Sequence, residues 1–101
     1  MAKRKVRIAW SREAARHFDA LLQYLYNESE RASFIVGNAI LEEVEKIAAH
    51  PTAFPLDRFK KNNDGFYRAC IVYNHRISYY VDGETIYILR IRHTSREPLP
   101  H

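Results

Sequence analysis

The chain has 101 residues and a formal net charge of +4, with 47% hydrophobic and 28% charged residues. These proportions are typical of one folded domain and exclude a disordered tail, a fibrous repeat and a second domain. The single cysteine, Cys70, excludes an internal disulfide and a paired-cysteine site. No apolar run approaches the ~20 residues that a membrane-spanning helix needs. We therefore expect one domain over residues 1–101, without a membrane segment, in the reducing cytoplasm.

The first half of the chain predicts a strand followed by two helices. Val6 to Trp10 alternates apolar and polar residues, and Ser11 is placed to cap the helix that follows. Ser29 is placed to cap a second helix, which ends before Pro51. Apolar residues recur at helical spacing, at Ala14, Phe18, Leu21, Leu22 and Leu25 and then at Ala32, Ile35, Val36, Ala39, Ile40, Val44, Ile47 and Ala48. This pattern predicts a helical hairpin that covers one side of a sheet.

The second half of the chain predicts a loop and three strands. Prolines and polar residues indicate a loop from Pro51 to Gly65. Segments rich in Ile, Val and Tyr indicate strands, at Tyr67 to Tyr73, Arg76 to Val81 and Thr85 to Arg92. Asp82-Gly83 predicts a two-residue hairpin turn, and Asn74-His75 predicts a similar one. The predicted fold is α+β in the order β-α-α-β-β-β, with the helical hairpin packed on a small antiparallel sheet.

The predicted Asp82-Gly83 turn determines which side chains share a face of the sheet. It places Val81 opposite Glu84, so the core face consists of Ile77, Tyr79, Val81, Ile86 and Ile88. The reverse face then carries Arg76, Ser78, Tyr80, Thr85, Tyr87, Leu89, Ile91 and His93. Arg90 and Arg92 fall on the core side, so we expect them at the strand's end, where long side chains reach water. A one-residue slip at Asn74-His75 would move Arg68 and Cys70 to the other face.

The charge is unevenly distributed along the chain. Ser11 to His50 contains four basic and seven acidic residues, a net charge of −3, so the rest of the chain carries +7. This asymmetry indicates either a surface for an anionic partner, such as nucleic acid or an acidic protein, or solvated charge without a partner. The candidate cations are Lys60, Lys61, Arg76, Arg90, Arg92 and Arg96. Tyr80 and Tyr87 either belong to that surface or simply cap an exposed sheet.

The sequence offers few elements of known catalytic sites. It contains no Gly-rich phosphate loop, nucleophile elbow or HExxH motif, and its five histidines lack the spacing of a zinc site. We therefore predict no metal and no cofactor. The C-terminal cations would suit phosphate binding or RNA cleavage, in which a cation stabilises the phosphorane while an acid and a base move protons. His93 is the candidate acid or base, or it binds the end of the last strand.

Four stretches of the chain resemble the RelE/ParE superfamily of bacterial toxins. They are VRIAWSREA at residues 6–14, GFYR at 65–68, RISYYV at 76–81 and IRHTSREP at 91–98. Pro51 after the second helix and the order of the elements add to the resemblance, which covers nearly the whole chain. It implies the toxin of a type II toxin–antitoxin module, neutralised by a cognate antitoxin. We expect an acidic or amphipathic antitoxin segment over the helices or the open sheet face.

The superfamily implies two alternative targets. RelE-like members cut mRNA in the ribosomal A site, and a nuclease here would use Arg76, His93, Arg68 and Arg96 as catalytic residues. Cys70 stands where the resemblance leads us to expect a second strand lysine. No tyrosine follows Arg96, so only His93 or His101 could take the role of that C-terminal tyrosine. ParE-like members lack nuclease activity and poison DNA gyrase.

The long first helix and the Arg-Glu-Pro ending are more similar to the ParE branch. We therefore favour a gyrase-directed toxin, with Lys60, Lys61, Tyr80, Tyr87, Arg90 and Arg92 as partner-binding residues. A ribosome-dependent mRNA endonuclease is the alternative. A third hypothesis is a non-toxic interaction domain that keeps only the fold.

Overall fold

The computed structural model describes residues 6–96. The elements are β1 (Arg7–Trp10), α1 (Arg12–Glu28), α2 (Glu30–Ala49), β2 (Tyr67–Val72), β3 (His75–Asp82), β4 (Thr85–His93) and a 3-10 turn (Thr94–Arg96). This order confirms the predicted α+β fold, and the last three strands form the predicted antiparallel meander. The sheet as a whole is mixed, because β1 pairs in parallel with β4 at the edge of the strand order β1-β4-β3-β2.

Two serine caps delimit the helical hairpin. Ser11 Oγ accepts the N–H of Ala14 at 2.9 Å, and Ser29 Oγ accepts the N–H of Ala32 at 3.1 Å. Both bonds satisfy donors that the first turn of a helix leaves open, and both caps were predicted. Ser29 alone separates the two helices. A Cβ at Gly37 would lie 2.9 Å from Leu22 Cδ2, so the two helices pack closely at this glycine.

The helices and the sheet enclose one hydrophobic core. Its buried members are Ala14, Ile40, Val44, Ile47, Cys70, Ile77, Tyr79, Ile86, Ile88 and Ile91, all within the described chain. Four of the five predicted core-face residues are among them, and Val81 packs against the cluster while partly buried. The Tyr79 hydroxyl donates to the Pro51 carbonyl at 2.8 Å, which satisfies the polar group of this fully buried side chain.

Both hairpin turns lie one residue away from their predicted positions. Asp82 pairs with Thr85, so Gly83 and Glu84 are the central residues, and Gly83 has a φ of +60°. In the other hairpin Val72 pairs with His75, and the turn is made by Tyr73 and Asn74, whose φ angles are 48° and 64°. Each change moves the pairing by two residues, so it leaves the faces near the turns unchanged.

A β-bulge at Leu89 corrects the predicted faces beyond it. Tyr79 pairs with Ile88, whereas Ser78 pairs with Arg90, so Leu89 is an extra residue in β4. An extra residue reverses the alternation of side chains along a strand. Arg90 and Arg92 therefore lie on the reverse face of the sheet, not on the core side. Ile91 and His93 lie on the helix side, and Ile91 is only 5% exposed.

Candidate functional site

Three arginines lie together on the sheet face that points away from the helices. Arg76 of β3 lies opposite Arg92 of β4, and Ser78 lies opposite Arg90. We call these four residues the arginine face. Arg76 is 9% exposed and Arg90 is 8% exposed, which is unusual for charged side chains. The Oγ of Ser78 and the Nε of Arg92 are buried, with no hydrogen-bond partner among the described residues. The face thus concentrates positive charge and unused donors in a partly dry environment.

The loop before β2 places an aromatic ring over this charge. The backbone N–H of Asp57 donates to the Tyr67 carbonyl at 2.9 Å, which holds the loop against the edge of β2. The buried Asp57 side chain accepts the N–H of Phe59 at 3.0 Å through Oδ1. The Phe59 ring then contacts two guanidinium groups, with the Arg76 Cζ at 4.7 Å and the Arg58 Cζ at 4.8 Å from its centroid. Phe59 therefore covers Arg76 and limits its access to a ligand.

Aromatic rings extend the same face towards the other end of β3. The rings of Tyr67 and Tyr80 are 4.5 Å apart, and the Phe66 ring is 6.4 Å from that of Tyr80. Lys60 Nζ lies 4.6 Å above the Tyr67 ring. Tyr87 is the cross-strand partner of Tyr80 and is 39% exposed. The predicted partner-binding residues Lys60, Tyr80, Tyr87, Arg90 and Arg92 thus share one face, and Lys61 is exposed next to Lys60.

Arg68 lies on the opposite side of the sheet from Arg76. It pairs with Tyr79, a core residue, and its Nη1 donates to the Phe54 carbonyl at 2.6 Å. Cys70 is on the same side, and burial, followed by the charge of Glu43, raises the pKa of its thiol to about 12. Two of the predicted catalytic positions are therefore separated by the thickness of the sheet.

His93 lies at the end of β4, in a cleft against α1. Its ring contacts His75 edge-on at a centroid distance of 5.1 Å, and its Nδ1 accepts the N–H of Ser95 at 3.0 Å just beyond the strand. The cleft has a volume of about 660 Å³ and is lined by His17, Ala20, Leu21, Tyr24, Leu25, His75, Ile91, Arg92, His93 and Ser95. We call it the histidine cleft. His93 thus lies apart from Arg76 and Arg68.

The remaining predicted residues lie at the end of the described chain. Arg96 belongs to the 3-10 turn, and its side chain is outside the described structure. His101 lies outside the described residues. Over residues 6–96, no cluster of three or more His, Cys, Asp or Glu side chains is arranged to hold a metal ion. In the same range no helix is long and apolar enough to cross a membrane.

Sequence reasoning missed the contribution of the loop to this site. Charge identifies Lys60 and Lys61 in the sequence, but it does not identify Asp57 and Phe59, which shape the arginine face. The signal was present in part, because an Asp two residues before a backbone donor is typical of an Asx turn. The sequence also carries a signal for the bulge, since the spacing of the buried isoleucines Ile86, Ile88 and Ile91 changes from two residues to three.

Several solved structures have a fold similar to that of this chain. The chain is similar to a chromosomal ParDE toxin–antitoxin system from P. aeruginosa, with a TM-score of 0.68, 20% identity and coverage of 88% of this chain and 96% of that one. It is similar to a YoeB dimer from Staphylococcus aureus, with a TM-score of 0.59, 18% identity and coverage of 88% and 97%. It is also similar to a YoeB/ParE toxin from Agrobacterium tumefaciens, with a TM-score of 0.56, 14% identity and coverage of 86% of this chain and 96% of that one. These similarities show a shared fold.

The sequence comparison is more specific than the structural one. No curated protein sequence matches the chain. Residues 8–98, however, match the family described as the ParE toxin of the type II toxin–antitoxin system parDE. This range includes both helices, all the strands of the described chain except the first residue of β1, and the whole arginine face. The chain therefore belongs to the ParE toxin family within the RelE/ParE superfamily of type II toxins.

Proposed function

We propose that this toxin inhibits growth by poisoning DNA gyrase and that a cognate antitoxin neutralises it. The observation that carries the proposal is the separation of three residues that a nuclease was expected to use, Arg76, Arg68 and His93. A cation and an acid or base have to converge on one phosphate for that reaction. Arg76 lies beneath Phe59 on the reverse face, whereas Arg68 and His93 lie on the helix side. This arrangement favours a toxin that binds its target over one that cleaves RNA.

A binding toxin needs an accessible surface of suitable chemistry. The reverse face offers Lys60 above Tyr67, the exposed Tyr87 and the half-buried Arg92. Tyrosine and arginine are the residue types that most often dominate the binding energy of protein interfaces. The described residues of this face are therefore suited to binding a large partner, and such binding needs no catalytic group.

A supercoiling assay tests the proposal directly. Purified gyrase, relaxed plasmid and ATP are mixed with increasing toxin, and we expect supercoiling to fall and to recover when antitoxin is added. Tyr87→Ala should weaken inhibition about tenfold or more if the reverse face makes the contact. Tyr26→Ala is the matched control, because Tyr26 is an exposed tyrosine on α1. Full supercoiling at molar excess of toxin contradicts the proposal, and harmless expression without antitoxin in several bacterial hosts would favour a non-toxic interaction domain.

Ribosome-dependent mRNA cleavage is the second candidate function. It is favoured by one observation, the three arginines Arg76, Arg90 and Arg92 on a single face of the sheet. Three guanidinium groups are suited to stabilising a phosphorane. The test is primer extension on mRNA in a translating extract, where a nuclease would produce cuts that Arg92→Ala largely removes. Intact message with active ribosomes would contradict this candidate.

A further inference from the structure

The histidine cleft has a composition that differs from that of the other groove on the helix side. Its walls are apolar, from Leu21, Leu25 and Ile91, and its polar groups are Arg92, Ser95 and three imidazoles. None of its described lining residues is acidic, although Glu13 on α1 approaches the far side of His17 with 3.8 Å between Oε2 and Nε2. The groove between β1 and α2 is instead lined by Glu42 and Glu45 beside apolar residues. The cleft therefore suits an acidic partner, whereas the two glutamates of the groove would repel one.

The cleft exists because β1 is shorter than β4. β1 pairs only with Thr85–Ile88 of the nine-residue β4. Beyond that point α1 takes the place of a strand, since Ser11 Oγ donates to the Leu89 carbonyl at 2.8 Å and His17 Nδ1 accepts the Ile91 N–H at 3.1 Å. Beyond these two contacts, Arg92 and His93 of β4 line the cleft together with residues of α1. The last residues of β4 therefore border open space instead of a neighbouring strand.

Two side chains at the rim point to an occupant. Tyr24 is 64% exposed although it lines the cleft, so its ring offers a large unburied surface. Arg92 belongs to the arginine face, but it also lines the cleft because it lies in the part of β4 that β1 does not cover; its buried Nε has no hydrogen-bond partner among the described residues. An exposed aromatic ring beside an unused cationic donor is the arrangement that an amphipathic acidic peptide would complete.

We propose that the histidine cleft is the docking site for an acidic amphipathic segment of the antitoxin. Apolar side chains of the segment pack against Leu21, Leu25 and Tyr24, and a carboxylate binds Arg92. The proposal rests on the antitoxin partner that membership of the family implies, and it is independent of the choice between gyrase and ribosome. The cleft volume of about 660 Å³ accommodates a few side chains, so the cleft holds the anchoring part of a longer interface.

Paired tyrosine variants test the docking site. The antitoxin encoded beside the toxin gene is titrated into wild-type toxin, Tyr24→Asp and Tyr26→Asp by isothermal titration calorimetry. Tyr24 and Tyr26 are 64% and 55% exposed on the same helix, but they point about 200° apart around it. We expect Tyr24→Asp to weaken antitoxin binding at least about thirtyfold and Tyr26→Asp to change it less than about threefold. Thermal melts monitored by circular dichroism confirm that both variants fold.

Charge supplies an independent readout. Arg92→Gln should weaken antitoxin binding and reduce its dependence on salt, whereas Arg16→Gln, on the exposed part of α1, should do neither. Equal effects of the two tyrosine variants overturn the proposal. It is also overturned if Tyr24→Asp leaves antitoxin affinity unchanged while it weakens binding of a duplex DNA fragment or dissociates a toxin dimer. These binding measurements do not involve gyrase, so the docking site can be tested even if the supercoiling assay shows that gyrase is not the target.

Discussion

At the scale of single residues, His17 connects α1 to the edge of β4. Its Nδ1 accepts the Ile91 N–H, and only an unprotonated nitrogen accepts a hydrogen bond. Burial lowers the pKa of His17 below the ordinary 6.5. The charge of Glu13 opposes this effect by raising the pKa, and the charges of Arg92, Arg16 and Arg90 lower it further. The folded protein therefore binds this proton less readily than the unfolded chain. The stabilising contribution of His17 is present above pH 6.5 and is lost as the pH falls below it.

Replacement of His17 by asparagine and by alanine separates hydrogen bonding from titration. The amide of the asparagine variant keeps an acceptor near the position of Nδ1 but does not titrate. We expect His17→Ala to lower the free energy of unfolding by about 1–3 kcal/mol, because the Ile91 N–H loses its partner. His17→Asn should cost less and show a weaker loss of stability between pH 7 and pH 5. Urea unfolding across this range measures both. Burial also lowers the pKa of His75, which titrates in every variant, so an unchanged slope in His17→Asn contradicts the prediction.

At the scale of the secondary-structure elements, the bulge in β4 assigns opposite roles to neighbouring residues. Ile91 is 5% exposed in the core, while Leu89 is the half-buried extra residue. We expect Ile91→Ala to lower the free energy of unfolding by about 2–4 kcal/mol, because it leaves a cavity between α1 and the sheet. Leu89→Ala is the control and should cost clearly less. Chemical denaturation compares the two, and a larger loss for Leu89→Ala would contradict the bulged register.

The elements themselves were predictable because they depend on local signals. Ser11 and Ser29 cap their helices as the sequence indicates, and the alternation in β3 identifies its core side correctly. The direction of β1 was not predictable, because an alternating segment indicates a strand but not the neighbour with which it pairs. The predicted faces of Arg90 and Arg92 were wrong for a related reason, since one extra residue inside a strand reverses the faces of all the side chains beyond it.

At the scale of the whole molecule, the candidate site is decided by which side of the sheet each residue faces. The sequence identified Arg76, Arg68 and His93 as a set, because charge and residue type are visible in it. Their separation depends on the pairing of three strands and on a loop that brings Phe59 onto Arg76. These are contacts between distant parts of the chain, and residue type alone does not reveal them.

This separation predicts the behaviour of a variant that uncovers Arg76. Phe59→Ala removes the ring that lies 4.7 Å from the Arg76 guanidinium and exposes the arginine. We expect a loss of about 0.5–2 kcal/mol in the free energy of unfolding, because a partly desolvated cation–π contact disappears. We expect no mRNA cleavage in a translating extract, because Arg68 and His93 still lie on the far side of the sheet.

Arg58→Ala is the matched control, since it removes the other cation from the Phe59 ring and leaves Arg76 covered. Cleavage by Phe59→Ala but not by Arg58→Ala would show that Phe59 alone suppresses a nuclease, and would contradict the gyrase-directed function.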